Sequence, residues 1–578
     1  MDGSDERALY LGLGLAAALL LALIWATGAL AGAVLGSGPA TVAPGETLAV
    51  ALRLPLHLGD PRVAWPSPAR GRLPGAAGVY LTGTFLLGLV AAAVALAWRT
   101  ARGFELPSSW RGRERPPAAA WASDRELAPL RVPEPQPGRL TLGRRGRRLL
   151  AAEAGQSVIV FGPTRTHKTS GLIIPALLEW EGPVLCTSVK TDLIEPTIGR
   201  REALGEEVWV FDPAQQTEYQ GAQASPLHGA GDWPGALRVA HWLAGAAKTG
   251  ARDLSDADFW FANAEKLIAP LLLAAVRKGK PMAQVVAWLD EGPEKCEAAV
   301  TPILEQAKQQ EAKRAFLATQ NREERQRSSV YTTAETILAA FADPRVADET
   351  ARSDYTPERL LAGSNTLYLV SPRGEQERLR TVFSTLIQEL LATVEERASK
   401  AGRPISPSLL LLLDECANIA PFPGLDEVAS TASGLGVQLV TAFHDISQAQ
   451  ARFGRRAATI VNNHHAKLIG RGVSDIETLD YFSRLIGAGE FEQRSVSTQR
   501  GARAHRSQTE GDTYRELAPA HVLRQSAEAS ALLVYGSLPP TTIAMRPWYR
   551  ESALRELHEG PRPSEEASND KSRPPGPR

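Results

Sequence analysis

Apolar positions along this chain fall into three regimes. The first is unbroken: Leu9 to Leu35 carries no charge, and Val79 to Trp98 repeats the pattern. A bilayer core takes about 20 apolar residues as helix. Neither run has the polar face of a helix at a soluble surface, so both read as membrane-spanning helices. The first is too long and too poorly flanked by bases (Arg7 alone precedes it) for a cleavable signal peptide. The second regime is a series of short apolar bursts, each followed by a helical stretch. Ser157–Phe161, Val184–Thr187, Val208–Phe211, Thr366–Val370, Leu409–Leu413, Val437–Thr441, Ala466–Gly470 and Ala531–Tyr535 are the predicted strands. Near-continuous apolar strands separated by helices imply a mostly parallel α/β sheet covered on both faces. The third regime, about Gly235 to Ala342, has helical periodicity and no convincing strand, and reads as an all-α insertion.

Polar stretches set the remaining boundaries. A Pro/Gly-rich loop separates the two spans, and residues 99–150, rich in Pro and Arg, read as a linker and entry to the body. Residues 495–515 read as a long mobile loop, and the Pro-rich tail as disordered. The expected plan is a membrane anchor (1–98, helices about 9–35 and 79–98), the linker (99–150), a discontinuous nucleotide-binding domain (151–234 and 343–550), the all-α insertion (235–342) and the tail (551–578).

Composition narrows the partners. The chain has 578 residues with 64 Lys+Arg and 64 Asp+Glu, so its net charge is zero. That balance does not argue for wholesale coating of nucleic acid; any DNA contact would have to be local. Cys186, Cys296 and Cys416 lie far apart, without metal-ligand spacing, and read as reduced cytosolic thiols. Arg99, Arg102, Arg111, Arg113 and Arg115 follow the second span, against Arg53, Arg62, Arg70 and Arg72 in the loop. That bias toward a cytoplasmic exit is slight; the phosphate loop settles it, because ATP is cytosolic.

The strand Ser157–Phe161 runs into Gly162-Pro163-Thr164-Arg165-Thr166-His167-Lys168-Thr169-Ser170, and a helix follows to about Trp180. This is the strand–loop–helix context of G-x-x-x-x-G-K-[ST]. Backbone amides from Gly162 to Ser170 would hold phosphates. Lys168 would reach the β- and γ-phosphates, and the Thr169 hydroxyl would ligate Mg²⁺. His167 stands where the second glycine belongs. A side chain there strains the bend, so nucleotide binding is expected to be weakened or altered. Leu409 to Leu413 then delivers Asp414 and Glu415 to the end of a wholly apolar strand. Ligands of open α/β sheets bind at that edge. Asp414 would hold Mg²⁺, and Glu415 would orient or deprotonate the attacking water.

With these motifs in place, the chain resembles the type IV coupling proteins, the TraG/TraD group of conjugation ATPases, from about Trp121 to Tyr549. The loop from Gly162 to Lys168 and the helix Ile174–Trp180 look like the family's P-loop and "IPxLLxW" helix. Val184–Leu193 sits where the family has a strand ending in a D-P-K-G-E-like turn; Lys190 and Asp192 fit it, Ser188 and Thr191 depart. Leu367–Pro372 with Glu377–Arg380, Leu411–Ile419, Gly434–Gln448, and Ile460–Asn463 with Gly470 match further segments. Gln448 is retained, while the family's first Gln of that strand is His444 here. The resemblance implies a RecA-like P-loop NTPase with an inserted all-α domain for substrate recognition. It implies a homo-hexamer in the cytoplasmic membrane, multi-pass, with the ATPase in the cytosol. The cofactors implied are ATP and Mg²⁺. The partners implied are DNA or a relaxase–DNA complex, the type IV secretion channel and the lipid bilayer. His444 then falls where a residue senses the γ-phosphate; it could donate a hydrogen bond there, or simply pack at a strand end.

Weaker signals are weighed with these. His464-His465 lacks the neighbours of a zinc site. Arg373, Arg378 and Arg380 are candidates for an arginine finger, or a solvated face. Arg452, Arg455, Arg456, Lys467 and Arg471 would line a pore or coat a helix. Asp258–Phe261 opens a helix with three aromatics, by default core. Two other functions compete: an FtsK-type DNA translocase, and a non-hydrolysing membrane receptor on a degenerate P-loop.

Overall fold

The computed structural model describes residues 3–103, 118–205, 207–219, 221–248, 257–498 and 506–560. They fall into two units that divide between Pro117 and Ala118. The first contains two long helices, Gly3–Leu35 and Ala76–Gly103, each longer than the apolar run that announces it. Ala18–Leu35 is long and apolar enough to cross a bilayer, and Ala76–Ala92 is a shorter apolar stretch. The Pro/Gly-rich loop between them is folded: helices Pro44–Arg53 and Ser67–Arg70 flank Trp65, which is buried with Ala31, Val50 and Val79. A Cβ at Gly28 would lie 2.5 Å from the Trp65 indole nitrogen, so this close approach requires glycine.

The second unit is built on strands β1 (Arg131–Val132), β2 (Thr141–Arg145), β3 (Arg148–Ala151), β4 (Val158–Phe161), β5 (Val184–Ser188), β6 (Val208–Phe211), β7 (Thr366–Val370), β8 (Leu409–Leu413), β9 (Val437–Phe443), β10 (Ala466–Gly470), β11 (Ala488–Thr498), β12 (Arg506–Glu516), β13 (Ser530–Tyr535) and β14 (Thr541–Ala544). Twelve of them form one sheet in the order β1-β3-β2-β14-β13-β10-β4-β9-β8-β5-β7-β6. From β10 to β6 every pairing is parallel; β13, β14, β2, β3 and β1 add an antiparallel edge. All eight predicted strands are in this sheet. Both faces of its centre are buried. Leu409, Leu411 and Leu413 join Ile159, Phe161, Leu367 and Leu369 in one core, and Leu410 and Leu412 join Val158, Val160 and Tyr368 in the other. Strand periodicity with two dry faces is what turns an alternating pattern into a run of five leucines.

The crossover from β6 to β7 carries a series of helices from Trp233–Lys248 to Pro344–Glu349. Their buried residues, Leu267, Leu271 and Phe341 among them, share one core with Leu411. Helix Ala257–Lys278 contains a stretch, Asp258–Lys278, as apolar as a membrane span, but 61% of it is buried inside the protein.

Three expectations need correction. The linker assigned to 99–150 is folded from Ala118 onward, where β1, β2 and β3 form the sheet edge. Edge strands tolerate polar residues, and arginines satisfy this one: Arg144 pairs with Glu551 at 2.7 Å, and Arg139 donates to the Ala152 carbonyl. The loop assigned to 495–515 is, in its described residues, an antiparallel ribbon of β11 and β12, whose polar sequence lacks the apolar alternation that would announce strands. The tail assigned to 551–578 begins with helix Ser552–Glu559, anchored by fully buried Leu554. Residues 561–578 lie outside the described residues.

At the N-terminal ends of the parallel strands, a fully buried arginine binds the loops together. Arg201 donates through Nε to Thr366 Oγ1 at 2.7 Å, and through Nη2 to the carbonyls of Gly182 at 2.7 Å and Ser364 at 2.8 Å; Nη1 reaches the Trp180 carbonyl. Burial pulls its pKa down to about 10, since no carboxylate compensates the charge. Removing the guanidinium strands the buried carbonyls of Trp180 and Gly182 at about 1–3 kcal/mol each, the half-buried Ser364 carbonyl being less affected. Arg201→Met in the full chain is therefore expected to lower the apparent Tm by roughly 2–6 °C. Arg201→Lys, which keeps charge but not the planar fork, should recover only part of it. An unchanged Tm in both variants would refute this account.

Candidate nucleotide site

β4 ends at Phe161 and delivers the loop to the C-terminal edge of the sheet. Strand order places β9 between β4 and β8, so the loop, His444 and the acidic pair share one edge. The Gly162 amide donates to the Phe443 carbonyl at 3.1 Å, fixing the loop to β9. A Cβ on Gly162 would lie 2.6 Å from Thr166 Oγ1, whose hydroxyl donates to the Pro163 carbonyl at 2.9 Å. Lys168, 7% exposed, folds back and donates to the carbonyls of Gly162 and Pro163.

The helix expected from Lys168 to Trp180 opens instead as a π-helical turn, Thr169–Ile173, followed by helix Ile174–Glu179. Pro175 has no N–H for the carbonyl of Gly171 four residues back. That carbonyl accepts from the Arg546 amide at 3.0 Å, so a residue from beyond the last strand mends the defect. Gly171 permits the approach: a Cβ there would lie 3.0 Å from the Met545 Cβ.

β8 places Asp414 opposite the loop. Thr169 Oγ1 donates to Asp414 Oδ2 at 3.1 Å, and Thr187 Oγ1 donates to the Asp414 carbonyl at 2.7 Å. Burial, reinforced by the charge of Glu415, raises the Asp414 pKa to about 6 against the pull of Lys168 and Thr169. Burial lowers Lys168, opposed by Asp414 and Glu415. Glu415 behaves differently. Burial alone would raise it, but the hydrogen bond and charge of His444, with Lys168 and Asn418, hold it below the usual carboxylate value. His444 Nε2 lies 3.2 Å from Glu415 Oε1, and this hydrogen bond raises the imidazole pKa. The His444 amide donates to Gln448 Oε1 at 2.8 Å, so the retained glutamine fixes the strand end.

Backbone strain gathers here. Arg165, His167 and Glu415 have φ of 66°, 63° and 53°, the left-handed region that disfavours side chains by about 1–2 kcal/mol each. The bend expected at the second-glycine position is thus present with a histidine in it. His167 Nδ1 lies 3.1 Å from Ser170 Oγ, and Nε2 lies 3.5 Å from Glu528 Oε1.

Around these groups lies a cavity of about 700 Å³. Pro163 through Ser170, Asp414 and Glu415 line it, as do Lys190, Asp192 and Arg373. His444 is not in the lining; it lies behind Glu415, which is. Trp548 and Tyr549 also line it, and the sequence reading passed over them. Four-residue β14, directly before them, alternates buried threonine and isoleucine with exposed positions, a pattern too short to notice. Of the other arginines weighed, Arg378 is held by Asp343 at 2.8 Å and Glu375 at 2.7 Å, and Arg380 is buried beside Arg452. His464 is a neutral core residue: its Nδ1 donates to the Ile460 carbonyl at 2.7 Å, and burial lowers its pKa to about 4. Among the described residues no group of three or more His, Cys, Asp or Glu could hold a metal. A hydroxyl and one carboxylate, as at Thr169 and Asp414, suit Mg²⁺ that takes its remaining ligands from phosphate and water.

Residues 120–571 match the family model described as type IV secretory system conjugative DNA transfer. The chain is 24% identical over 420 residues to Protein VirD4 of Rhizobium radiobacter, covering 72% of this chain and 60% of that protein. It is 24% identical over 437 residues to Conjugal transfer protein TraG of Escherichia coli, covering 68% and 67%. The match thus spans about 60% of the length of the VirD4 relative. Plasmid coupling protein TrwB in complex with ADP and Mg²⁺ superposes with a TM-score of 0.55 at 13% identity, covering 76% of this chain and 96% of that one. The unbound monoclinic form of TrwBdeltaN70 gives 0.54 at 13%, covering 74% and 92%. At such identity the likeness establishes the fold.

Asp414 sets a pH dependence. Its folded pKa of about 6 lies above the ordinary aspartate value, so the native state holds the proton more tightly. The contribution of Asp414 to stability is therefore full below about pH 4 and is lost as pH rises through 6, on the order of 3 kcal/mol at about 1.36 kcal/mol per unit. Asp414→Asn should raise the Tm at pH 8, with the advantage closing between pH 6 and 4. A gap between variant and wild type that is flat across this range would contradict the assignment.

Proposed function

Because the chain belongs to the type IV secretory system conjugative DNA transfer family, we propose that it is a membrane-anchored ATPase that couples ATP hydrolysis to delivery of DNA, or of a nucleoprotein or protein substrate, into a type IV secretion channel. The observation that carries this is the contact of Thr169 with Asp414 at 3.1 Å, beside Lys168 and below a strained glycine-position turn. Plasmid coupling protein TrwB forms complexes with ADP and Mg²⁺ and with the ATP analogue ADPNP, which supports ATP and Mg²⁺ as the ligands. The helices Gly3–Leu35 and Ala76–Gly103 are proposed as the two membrane spans, with the sheet domain in the cytosol and a homo-hexamer as the working assembly.

Each side chain then has a task. The Lys168 ammonium exchanges loop carbonyls for β- and γ-phosphate oxygens. Thr169 and Asp414 would hold Mg²⁺, which when bound would supply charge neutralisation for the polyphosphate. Glu415, kept ionised by His444, orients the attacking water and accepts its proton. His444 acts by positioning that carboxylate. A receptor that binds nucleotide without hydrolysis is the second reading, and the left-handed φ of His167 favours it.

Turnover decides between them. With the full chain in detergent, Mg²⁺-dependent ATP hydrolysis is expected; Lys168→Ala and Glu415→Gln should each abolish it, with Glu415→Gln still binding ATP. Binding without turnover in the wild type establishes the receptor reading. His167 already holds its left-handed φ in the fold itself, so His167→Gly relieves about 1–2 kcal/mol of backbone strain in the free and the nucleotide-bound protein alike, and ATP affinity is expected to stay within about twofold. A tenfold gain in the variant would show that the loop takes on strain only when nucleotide binds.

A further inference from the structure

The connection between the two long N-terminal helices doubles back along the first of them. The Gly38 amide donates to the Gly32 carbonyl at 3.0 Å, and the Trp25 indole donates to the Val42 carbonyl at 3.1 Å. The chain after Leu35 therefore returns antiparallel to Gly3–Leu35. Helix Pro44–Arg53 then crosses that helix. Pro44 and Thr47 share one cavity with Ala18, Ala22 and Trp25. Leu54, just past the other end, shares another with Leu20, Ile24 and Thr27, so both ends sit level with Ala18–Thr27. Tyr80 of the second long helix donates to the Leu58 carbonyl at 2.6 Å and holds the turn that follows. Thr47 and Val50 are buried on the inner face of Pro44–Arg53. Leu48 and Leu52 are 53% and 69% exposed, and Leu56 and Leu58 after them 77% and 64%. Leucines this exposed, close together in one short stretch, mark a surface that meets something apolar.

The rise of the helices says what covers them. Arg7 and Arg99 bound the two apolar runs. If the connection lay wholly outside the bilayer, only Leu9 to Ala17 of the first helix would be left to cross it. That is about 14 Å at about 1.5 Å per residue, against a hydrocarbon core of about 30 Å. Filling the core from Leu9 reaches about Gly28, and filling it from Trp98 reaches back to about Val79. Leu20 and Leu87, which line one cavity, then both lie about 17 Å from the border set by the arginines, so the two counts agree. Trp25 and Tyr80 fall near the opposite border, where aromatic rings with a polar end are favoured. We propose that Pro44–Arg53 and the turn to Leu58 are immersed in the leaflet away from Arg7 and Arg99. Leu48, Leu52, Leu56 and Leu58 sit among its acyl chains, and Glu46 and Arg53 reach to the headgroups. The connection is thus a membrane-embedded element and not a free external loop. The inference rests on the reading of the two long helices as spans.

Spin labels on single introduced cysteines test it, with the full chain in phosphatidylethanolamine–phosphatidylglycerol vesicles. Cys186, Cys296 and Cys416 are buried, so the introduced thiol is the one labelled. Leu48→Cys, Leu52→Cys and Leu56→Cys replace exposed side chains. Phe85→Cys, at a position 61% exposed on the second span, reports lipid, and Gly71→Cys, beside the far end of the first helix, reports water. Collisions with oxygen, which concentrates in lipid, are compared with collisions with a water-soluble nickel chelate. The labels at 48, 52 and 56 should be reached by oxygen and lose the nickel effect seen at 71, as at 85. Nickel reaching 48, 52 and 56 as it reaches 71, with 85 protected, overturns the immersion and spares the spans. Protection of 48, 52 and 56 from both reagents overturns it too, since a second copy of the chain would then cover the leucines. Nickel reaching 85 overturns the span reading and the immersion with it.

Discussion

A cation and an anion are buried together at the end of an apolar sheet, and most of the site's architecture follows from that. Lys168 and Asp414 are 7% and 8% exposed, and burial disfavours the charged form of each. They persist because each offsets part of the other's desolvation and because Thr169, Thr187 and loop carbonyls supply hydrogen bonds. The balance is incomplete: Asp414 remains hard to ionise. A divalent cation beside it would complete the compensation, so the instability left in the protein is also its affinity for the ligand. The dry leucines of β8 sharpen this by keeping water, the alternative solvent, away from the strand that carries the carboxylate.

The same edge stores conformational strain, and the packing that holds the strain comes from far along the chain. His167 keeps a left-handed φ beside a π-helical turn whose free carbonyl is satisfied from Arg546. Arg546 is in turn buried against Glu179 and Glu551. The phosphate loop and the final turn of the domain are thus one structural element joined across 375 residues of sequence (171 to 546). Strained backbone survives where surroundings over-determine it, and here the overdetermination is this ion-pair cluster.

What the sequence revealed depended on how each feature is buried. The five leucines of β8 announced a central strand because both faces are dry, and Asp414-Glu415 was legible as the point where the dry strand ends. β11 and β12 were illegible: their sequence is rich in hydroxyls, charges and amides and lacks the apolar alternation by which a strand is recognised. Arg201 was illegible for another reason. Its partners are main-chain carbonyls and a threonine, so no acidic residue in the sequence betrays a buried arginine. Tyr549 escaped because it reaches the cavity through a turn after a four-residue strand.

The helical insertion bears on how the acids are held. It is not a module hung from two flexible connections, since Leu267, Leu271 and Phe341 lie in one core with Leu411 of β8. Helix Gln376–Ala401, which follows β7, packs on Trp233–Lys248 of the insertion and also on the short helix Cys416–Ile419. Glu415 is the residue immediately before that short helix, in a left-handed conformation that tolerates little play. Close-packed interiors transmit displacement rather than absorb it. A rigid movement of the insertion would therefore strain its contact with Gln376–Ala401, and that helix also contacts Cys416–Ile419, the element that Glu415 precedes.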